Sequence, residues 1–418
     1  MKSHRSYLYI FFCLALIVPG LVATVNVAID PYGYFGTRLV PGFNILKPEL
    51  GLHEKELKVH LLTTLRPDGL ILGASTSDVG LDPEHRGWTA NTVYNLSAGQ
   101  SSISLARHLL LHAMEFQVPK QVVLGLDMSM FNPSQQIAEG INPASLAVLP
   151  NGERNRDYLT LNYYGYAFSL DMLNSARTTL RANRENPSVI PAEYEPQISS
   201  TGQMNPKSFP QNRWKTYRQR FQRMVGRHVN VFWAPLDPFR QLDDFQTDPT
   251  FGAYQDILQI ACKNNIELQI VLSPMHAYLL EAQEATELTA VWERWKSAVV
   301  LSASSQEGCE PFPVWDFSGY NSITTEIIAQ SREETEMPAW YWDPVHYTTE
   351  VGDIMLNRVF GIIGADDRYD FGVQLTADNL SAQISLTRQK AVAYRSDRPD
   401  EVAVVNQTVL NSLKTENR

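Results

Sequence analysis

Five short apolar runs, spaced along the chain and alternating with helical stretches, constrain this sequence more than anything else in it. They are 68–73 (Asp68-Gly69-Leu70-Ile71-Leu72-Gly73), 92–96, 121–126, 266–272 and 312–318. The runs are continuous rather than alternating, which marks strands buried on both faces. Helical signals fall between them. Ser101 or Ser102 can cap a helix whose Ile103, Ala106, Leu109, Leu110 and Ala113 recur at helical spacing. Residues 254–263 and a Glu- and Trp-rich stretch over 279–301 read as helices, as does a charged stretch near 50–63. After the last strand, Thr348 or Thr349 can cap a helix with Glu350 and Asp353 in its first turn and Val351, Ile354, Met355 and Val359 on its apolar face. Strands alternating with helices predict an α/β fold built on a doubly wound, mostly parallel, five-stranded sheet.

Two regions break this rhythm. Residues 132–250 are rich in Asn, Tyr, Pro and Arg and hold no buried strand, so they are expected to form a large insertion. Within it, Arg213, Lys215, Arg218, Arg220, Arg223 and Arg227 load one helix with positive charge. Such a face can be merely solvated, or it can meet anionic lipid headgroups or an anionic polymer. The tail, residues 365–418, contains alternating segments such as Ala391-Val392-Ala393-Tyr394 and Val402-Ala403-Val404-Val405. Its structure is not assignable from pattern alone.

The N-terminus carries Lys2, His4 and Arg5 ahead of an uncharged apolar run, and no charge follows until Asp30. A run of that length can cross a bilayer, with the basic residues on the cytoplasmic side. The alternative is a cleaved signal peptide, but no small-x-small site follows the apolar core: Ala23 has Leu21 two before it, and Ala28 has Asn26. The expected organisation is therefore a cytoplasmic tip and transmembrane anchor over 1–29, an α/β domain over 30–364 interrupted at about 132–250, and a C-terminal extension. The body would lie outside the cytoplasm, where Cys262 and Cys309 can pair. Each precedes a predicted strand, which brings both near one sheet edge. Two buried free thiols are the alternative. The net charge of −10 argues against a nucleic-acid surface.

In an open α/β sheet, ligands bind at the carboxyl ends of the strands. Those ends deliver Ser75, Gly99, Asp127 with Ser129, His276 and Asp316 in turn, and the loop before the last helix adds Asp343 and His346. This set can work as one site. Ser75 attacks a carbonyl, His346 takes its proton, and Asp343 holds the imidazole in the right tautomer. The backbone N–H groups of Ser75 and Gly99 are candidates for the oxyanion hole. Asp127, His276, Asp316 and Trp342 are candidates for substrate contact. Tyr320, Trp340 and Trp342, which flank the last block, could stack on sugar rings or simply pack a lid. His108 and His112 stand i, i+4 on a helix, but no carboxylate accompanies them, so no metal is expected.

The blocks Leu72-Gly73-Ala74-Ser75-Thr76-Ser77, Asn95-Leu96-Ser97-Ala98-Gly99 and Asp343-Pro344-Val345-His346, with Gly352, resemble the SGNH (GDSL-like) hydrolase superfamily. They are most similar to its membrane-anchored bacterial branch, which handles acyl groups on envelope polymers, as in D-alanine transfer and alginate O-acetylation. The triplet Asp316-Phe317-Ser318 also matches that branch. The resemblance covers about residues 30–130 and 255–362. It implies a flavodoxin-like sheet and a serine esterase or O-acyltransferase without cofactor, in the bacterial inner membrane and facing the periplasm. It also implies an envelope polysaccharide as substrate and a membrane acyl-export partner. The alternative is a silent relative that binds or guides a polysaccharide. Two departures stand out. The usual Gly-Asp-Ser is Gly-Ala-Ser, and the usual Gly-x-Asn block falls at Gly125-Leu126-Asp127, where an ionised Asp127 would repel an oxyanion.

Overall fold

The computed structural model describes residues 2–134, 141–149, 151–190, 194–206, 216–328, 340–362, 364 and 369–416. The chain divides into two compact units. One comprises 1–65 with 140–197, and the other 66–139 with 198–418. The stretch expected as a single insertion is thus shared between the two.

The first unit is helical. Its helices are Lys2–Ile29, Glu54–Leu65, Tyr158–Ala167 and Leu170–Glu185. Buried Asn26 sends its amide to the carbonyls of Ala167 (2.9 Å) and Ser169 (2.8 Å), which ties the end of the first helix to the later pair. Asn183 pairs with both backbone groups of Leu46, accepting from its N–H at 3.0 Å and donating to its carbonyl at 2.8 Å. Among the described residues no helix is long and apolar enough to cross a membrane. The expected transmembrane anchor thus finds no support there, although Phe11, Phe12, Leu16, Ile17 and Leu21 lie exposed along the first helix.

The second unit carries the sheet. Its strands are β1 (Gly69–Leu72), β2 (Val93–Asn95), β3 (Gln121–Leu126), β4 (Glu267–Leu272), β5 (Val314–Asp316) and β6 (Val373–Leu375). Their order is β2-β1-β3-β4-β5-β6. The first five are parallel, as the continuous apolar runs predict, and β1 and β3 are buried along their whole length. The sheet has six strands rather than the expected five. The tail supplies β6, which pairs antiparallel with β5. Beyond β6 the tail forms helices Leu380–Asp397 and Pro399–Glu416, so its alternating segments are helical. The stretch 279–301 is also two helices, Ala277–Ala285 and Thr289–Ser304, parted where Glu287 takes a positive φ of 61°. Cys262 and Cys309 form a disulfide with Cα atoms 5.9 Å apart.

Two contacts fix the site within this frame. Helix Ser75–Gly80 follows β1, and helix Thr349–Val359 follows the loop bearing Asp343 and His346. They cross so closely that a Cβ on Gly352 would overlap the carbonyl oxygen of Gly80, and a Cβ on Gly80 would overlap the ring of Tyr347. Buried Asn95, at the end of β2, donates to the carbonyls of Ser77 (3.0 Å) and Leu81 (3.1 Å), and its Oδ1 accepts the N–H of Ser97 (3.1 Å). It satisfies the last carbonyls of the Ser75 helix and shapes the turn toward Gly99 with one side chain.

Because the backbone of Gly80 cannot retreat easily, Gly352→Ala is expected to cost about 1–3 kcal/mol, as overpacking does. It should also pull Ser75 and His346 apart. Denaturant unfolding checks this, and a variant with parental stability would contradict it.

Candidate active site

Ser75 is the first residue of its helix, just past the end of β1. Its Oγ lies 2.8 Å from His346 Nε2. His346 Nδ1 lies 2.8 Å from Asp343 Oδ2. The other oxygen, Asp343 Oδ1, accepts the backbone N–H groups of Val345 (2.9 Å) and His346 (3.0 Å). The carboxylate therefore folds its own loop and orients the ring that the loop carries. A carboxylate on Nδ1 makes that nitrogen the donor and leaves Nε2 free to accept the Ser75 proton. Burial alone would raise the Asp343 carboxyl. The His346 ring, its hydrogen bond and the two backbone N–H donors outweigh burial and hold the carboxyl below its usual range.

These residues line a cavity of about 290 Å³ together with Gly99, Asp127 and Ser129. Part of the cavity wall comes from the segment expected to be an insertion. Helix Tyr217–Arg227 runs into a π-helical turn, His228–Phe232, and these supply Arg220, Arg223, Met224, Arg227, His228 and Phe232. Of the expected basic helix, Arg218, Arg220, Arg223 and Arg227 lie on Tyr217–Arg227, while Arg213 and Lys215 fall outside the described residues. Arg220 donates to the Trp342 carbonyl at 3.3 Å, and the Arg227 guanidinium sits 5.4 Å from the Phe232 ring centre.

His228 escaped sequence reasoning. Burial pushes its imidazole down to about 4, and its Nδ1 lies 3.1 Å from the Met224 carbonyl. It is a neutral ring whose Nδ1–H donates, which leaves Nε2 as an acceptor. Nothing in the pattern around it signals a site, because a π-helical turn aims it.

Other candidates fall elsewhere. His276 is fully buried, accepts the Tyr278 N–H on Nδ1 (3.1 Å) and contacts the Glu326 carbonyl through Nε2 (2.9 Å). It does not line the cavity, yet its backbone N–H donates to the Pro344 carbonyl at 3.0 Å and so steadies the loop that bears Asp343 and His346. Asp316 is sequestered by Lys296 Nζ at 2.7 Å and by the Ser318 N–H at 3.0 Å. Trp342 packs inward at 7% exposure, Trp340 meets Tyr369 edge to face, and Tyr320 donates to Glu281. Each packs the fold rather than facing the cavity. His108 bonds the Ser104 carbonyl, and among the described residues no cluster of three or more His, Cys, Asp or Glu could hold a metal.

Compared with known proteins, the chain matches no family model and no curated protein sequence.

The lowered Asp343 carboxyl sets a pH signature. Its contribution to stability should be complete above the unfolded carboxylate value of about 3.9 and fade as pH falls through the lower folded value. The stability gap between the parent and Asp343→Asn, followed by urea unfolding, should therefore shrink as pH falls below about 4. A gap that widens below that pH would contradict this.

Proposed function

We propose that the protein is a serine esterase or O-acyltransferase of the SGNH type, acting on an envelope or extracellular polysaccharide. The observation that carries this reading is the unbroken chain Ser75 Oγ–His346 Nε2, His346 Nδ1–Asp343 Oδ2, with 2.8 Å at each link, inside a cavity. Ser75 Oγ bonds to the acyl carbon as His346 takes its proton. The tetrahedral intermediate collapses, the leaving oxygen departs with that proton, and an acyl-enzyme remains. Water, or a glycan hydroxyl deprotonated by the same ring, then releases Ser75. No metal or cofactor enters these steps.

Three arginines on the cavity wall favour an acceptor that carries carboxylate groups, since guanidinium pairs with them bidentately. The envelope location rests on the basic residues before the apolar N-terminal run, on the exposed apolar side chains of the first helix and on the disulfide, which suits an oxidising compartment. In this reading the first helix anchors the chain in a bacterial inner membrane, the catalytic unit faces the periplasm, and a membrane acyl-export partner supplies acyl groups.

The test uses the full chain in detergent with p-nitrophenyl acetate. The parent should release nitrophenol and carry one acetyl group mapped to Ser75. Ser75→Ala and His346→Ala should lose at least about 10³ in kcat. A folded parent no faster than either variant, with no adduct, would point instead to a silent polysaccharide-binding protein. With an acyl donor present, acetyl transfer should favour a polyuronate over a neutral glucan, and the preference should weaken in high salt. Equal use of both glycans would remove the arginines from the acceptor site.

A further inference from the structure

One imidazole on the cavity wall carries a hydrogen-bond acceptor that no protein group uses. His228 is only 3% exposed and lines the cavity with Ser75, Asp343 and His346. Its Nδ1 lies 3.1 Å from the Met224 carbonyl, one helical turn back, so Nδ1 carries the proton. The ring stands against those of Phe232 and Trp233, at centre distances of 4.7 and 5.5 Å. These contacts fix the ring, and none of them uses Nε2. Among the described residues Nε2 has no hydrogen-bond partner, yet it is not one of the unpaired atoms sealed in the interior. A buried polar atom in that position is normally satisfied, and the cavity is where its partner can come from.

The surroundings narrow what that partner is. Burial pushes the imidazole down to about 4, with the Met224 carbonyl and Asp343 opposing it and His346 and Arg227 adding to it. The ring is therefore neutral at ordinary pH. The other charged groups lining the cavity are Arg220, Arg223 and Arg227 on its own segment, Asp127 after β3, and the Asp343–His346 pair. A carboxylate or a carbonyl has no hydrogen to offer Nε2, and three guanidinium groups disfavour a cation. A neutral hydroxyl meets both conditions, and a sugar carries one beside each oxygen that can be acylated.

Resting on the esterase reading above, we infer that His228 reads the alcohol half of the ester. Its Nε2 accepts the hydroxyl on the carbon next to the ester-bearing carbon, so the site selects a vicinal diol over a simple alcohol. Asp343 and His346 act electrostatically on the His228 ring, and all three line one cavity of about 290 Å³, which suits neighbouring hydroxyls of one sugar ring. The proton of the recognised hydroxyl stays on its oxygen. The proton from Ser75 still travels on His346 to the leaving oxygen, and the same contact holds when an acceptor hydroxyl attacks the acyl-enzyme. An alcohol lacking the second hydroxyl leaves Nε2 unpaired, which is how such a site discriminates.

The experiment uses the full chain in detergent and two esters that differ by one hydroxyl, 2-hydroxycyclohexyl acetate and cyclohexyl acetate. Acetyl leaving each ester, into solution or onto Ser75, is counted by chromatography and intact mass. The parent should favour the hydroxy ester about tenfold in kcat/KM, the effect of one hydrogen bond to a buried acceptor. In His228→Phe, which keeps an aromatic ring without the acceptor, the ratio should fall to about one. His228→Gln, whose amide oxygen can reach the place of Nε2, should retain a higher ratio than His228→Phe. The ratio is taken within each variant, so a general loss of rate from disturbed packing does not enter it. A parent without preference, or a preference undiminished in His228→Phe, overturns the assignment. The parent's ratio decides alone where a variant fails to fold. p-Nitrophenyl acetate separates the two readings. A parent labelled on Ser75 but without preference keeps the esterase and loses this role of His228, whereas a parent labelled no more than Ser75→Ala sinks both.

Discussion

The buried carboxylate of Asp343 organises the candidate site. Its Oδ1 takes two consecutive backbone N–H groups and its Oδ2 takes the imidazole, so one side chain closes the turn and sets the tautomer. A charge removed from water is tolerable only when donors surround it, and this one is met by the loop it shapes. The arrangement is mutual. The loop exists in this form because the carboxylate is ionised, and the carboxylate stays ionised because the loop is so formed. Pro344 adds to this by offering its carbonyl to the His276 N–H, which links the loop to the end of β4.

From that anchor Ser75 is placed by packing and by one buried amide. The Gly80–Gly352 crossing brings two short helices into backbone contact, and Asn95 ties the Ser75 helix to β2 and to the Gly99 turn. Backbone-to-backbone contact is stiffer than contact through long side chains. That stiffness is what a serine–imidazole distance of 2.8 Å needs, because proton transfer tolerates little misplacement. The role of Gly352 is therefore geometric, although it touches neither Ser75 nor His346.

Much of this was legible in the sequence, for physical reasons. A strand buried on both faces has no polar alternation to confuse, so the five parallel strands and their order-dependent ends could be read directly, and with them Ser75, Gly99, Asp343 and His346. The tail could not. Ala391-Val392-Ala393-Tyr394 contains no true polar partner to define a period, so strand and helix templates fit equally well over four residues. β6 is a three-residue edge strand, too short to leave a pattern. His276 and Asp316 sit at strand ends, as the topological rule requires, yet their hydrogen bonds turn them into the fold. A strand end places a residue near the cleft without saying which way its side chain points. His228 was invisible for the opposite reason. It comes from no strand end, and only the π-helical turn brings it to the cavity.

The cavity is built from two sources. Ser75, Gly99 and Asp127 follow strand ends, Asp343 and His346 come from the loop before helix Thr349–Val359, and all are held by short elements and dense packing. Much of the remaining wall comes from one helix and its π-helical turn, which together present three guanidinium groups, a neutral imidazole and apolar Met224 and Phe232. Charge, hydrogen-bond acceptor and apolar surface thus stand on a single element outside the sheet. Under the proposed function, changes along that helix alter which acceptor is taken without moving Ser75 or His346, whereas changes at the strand ends disturb the reaction whatever the acceptor.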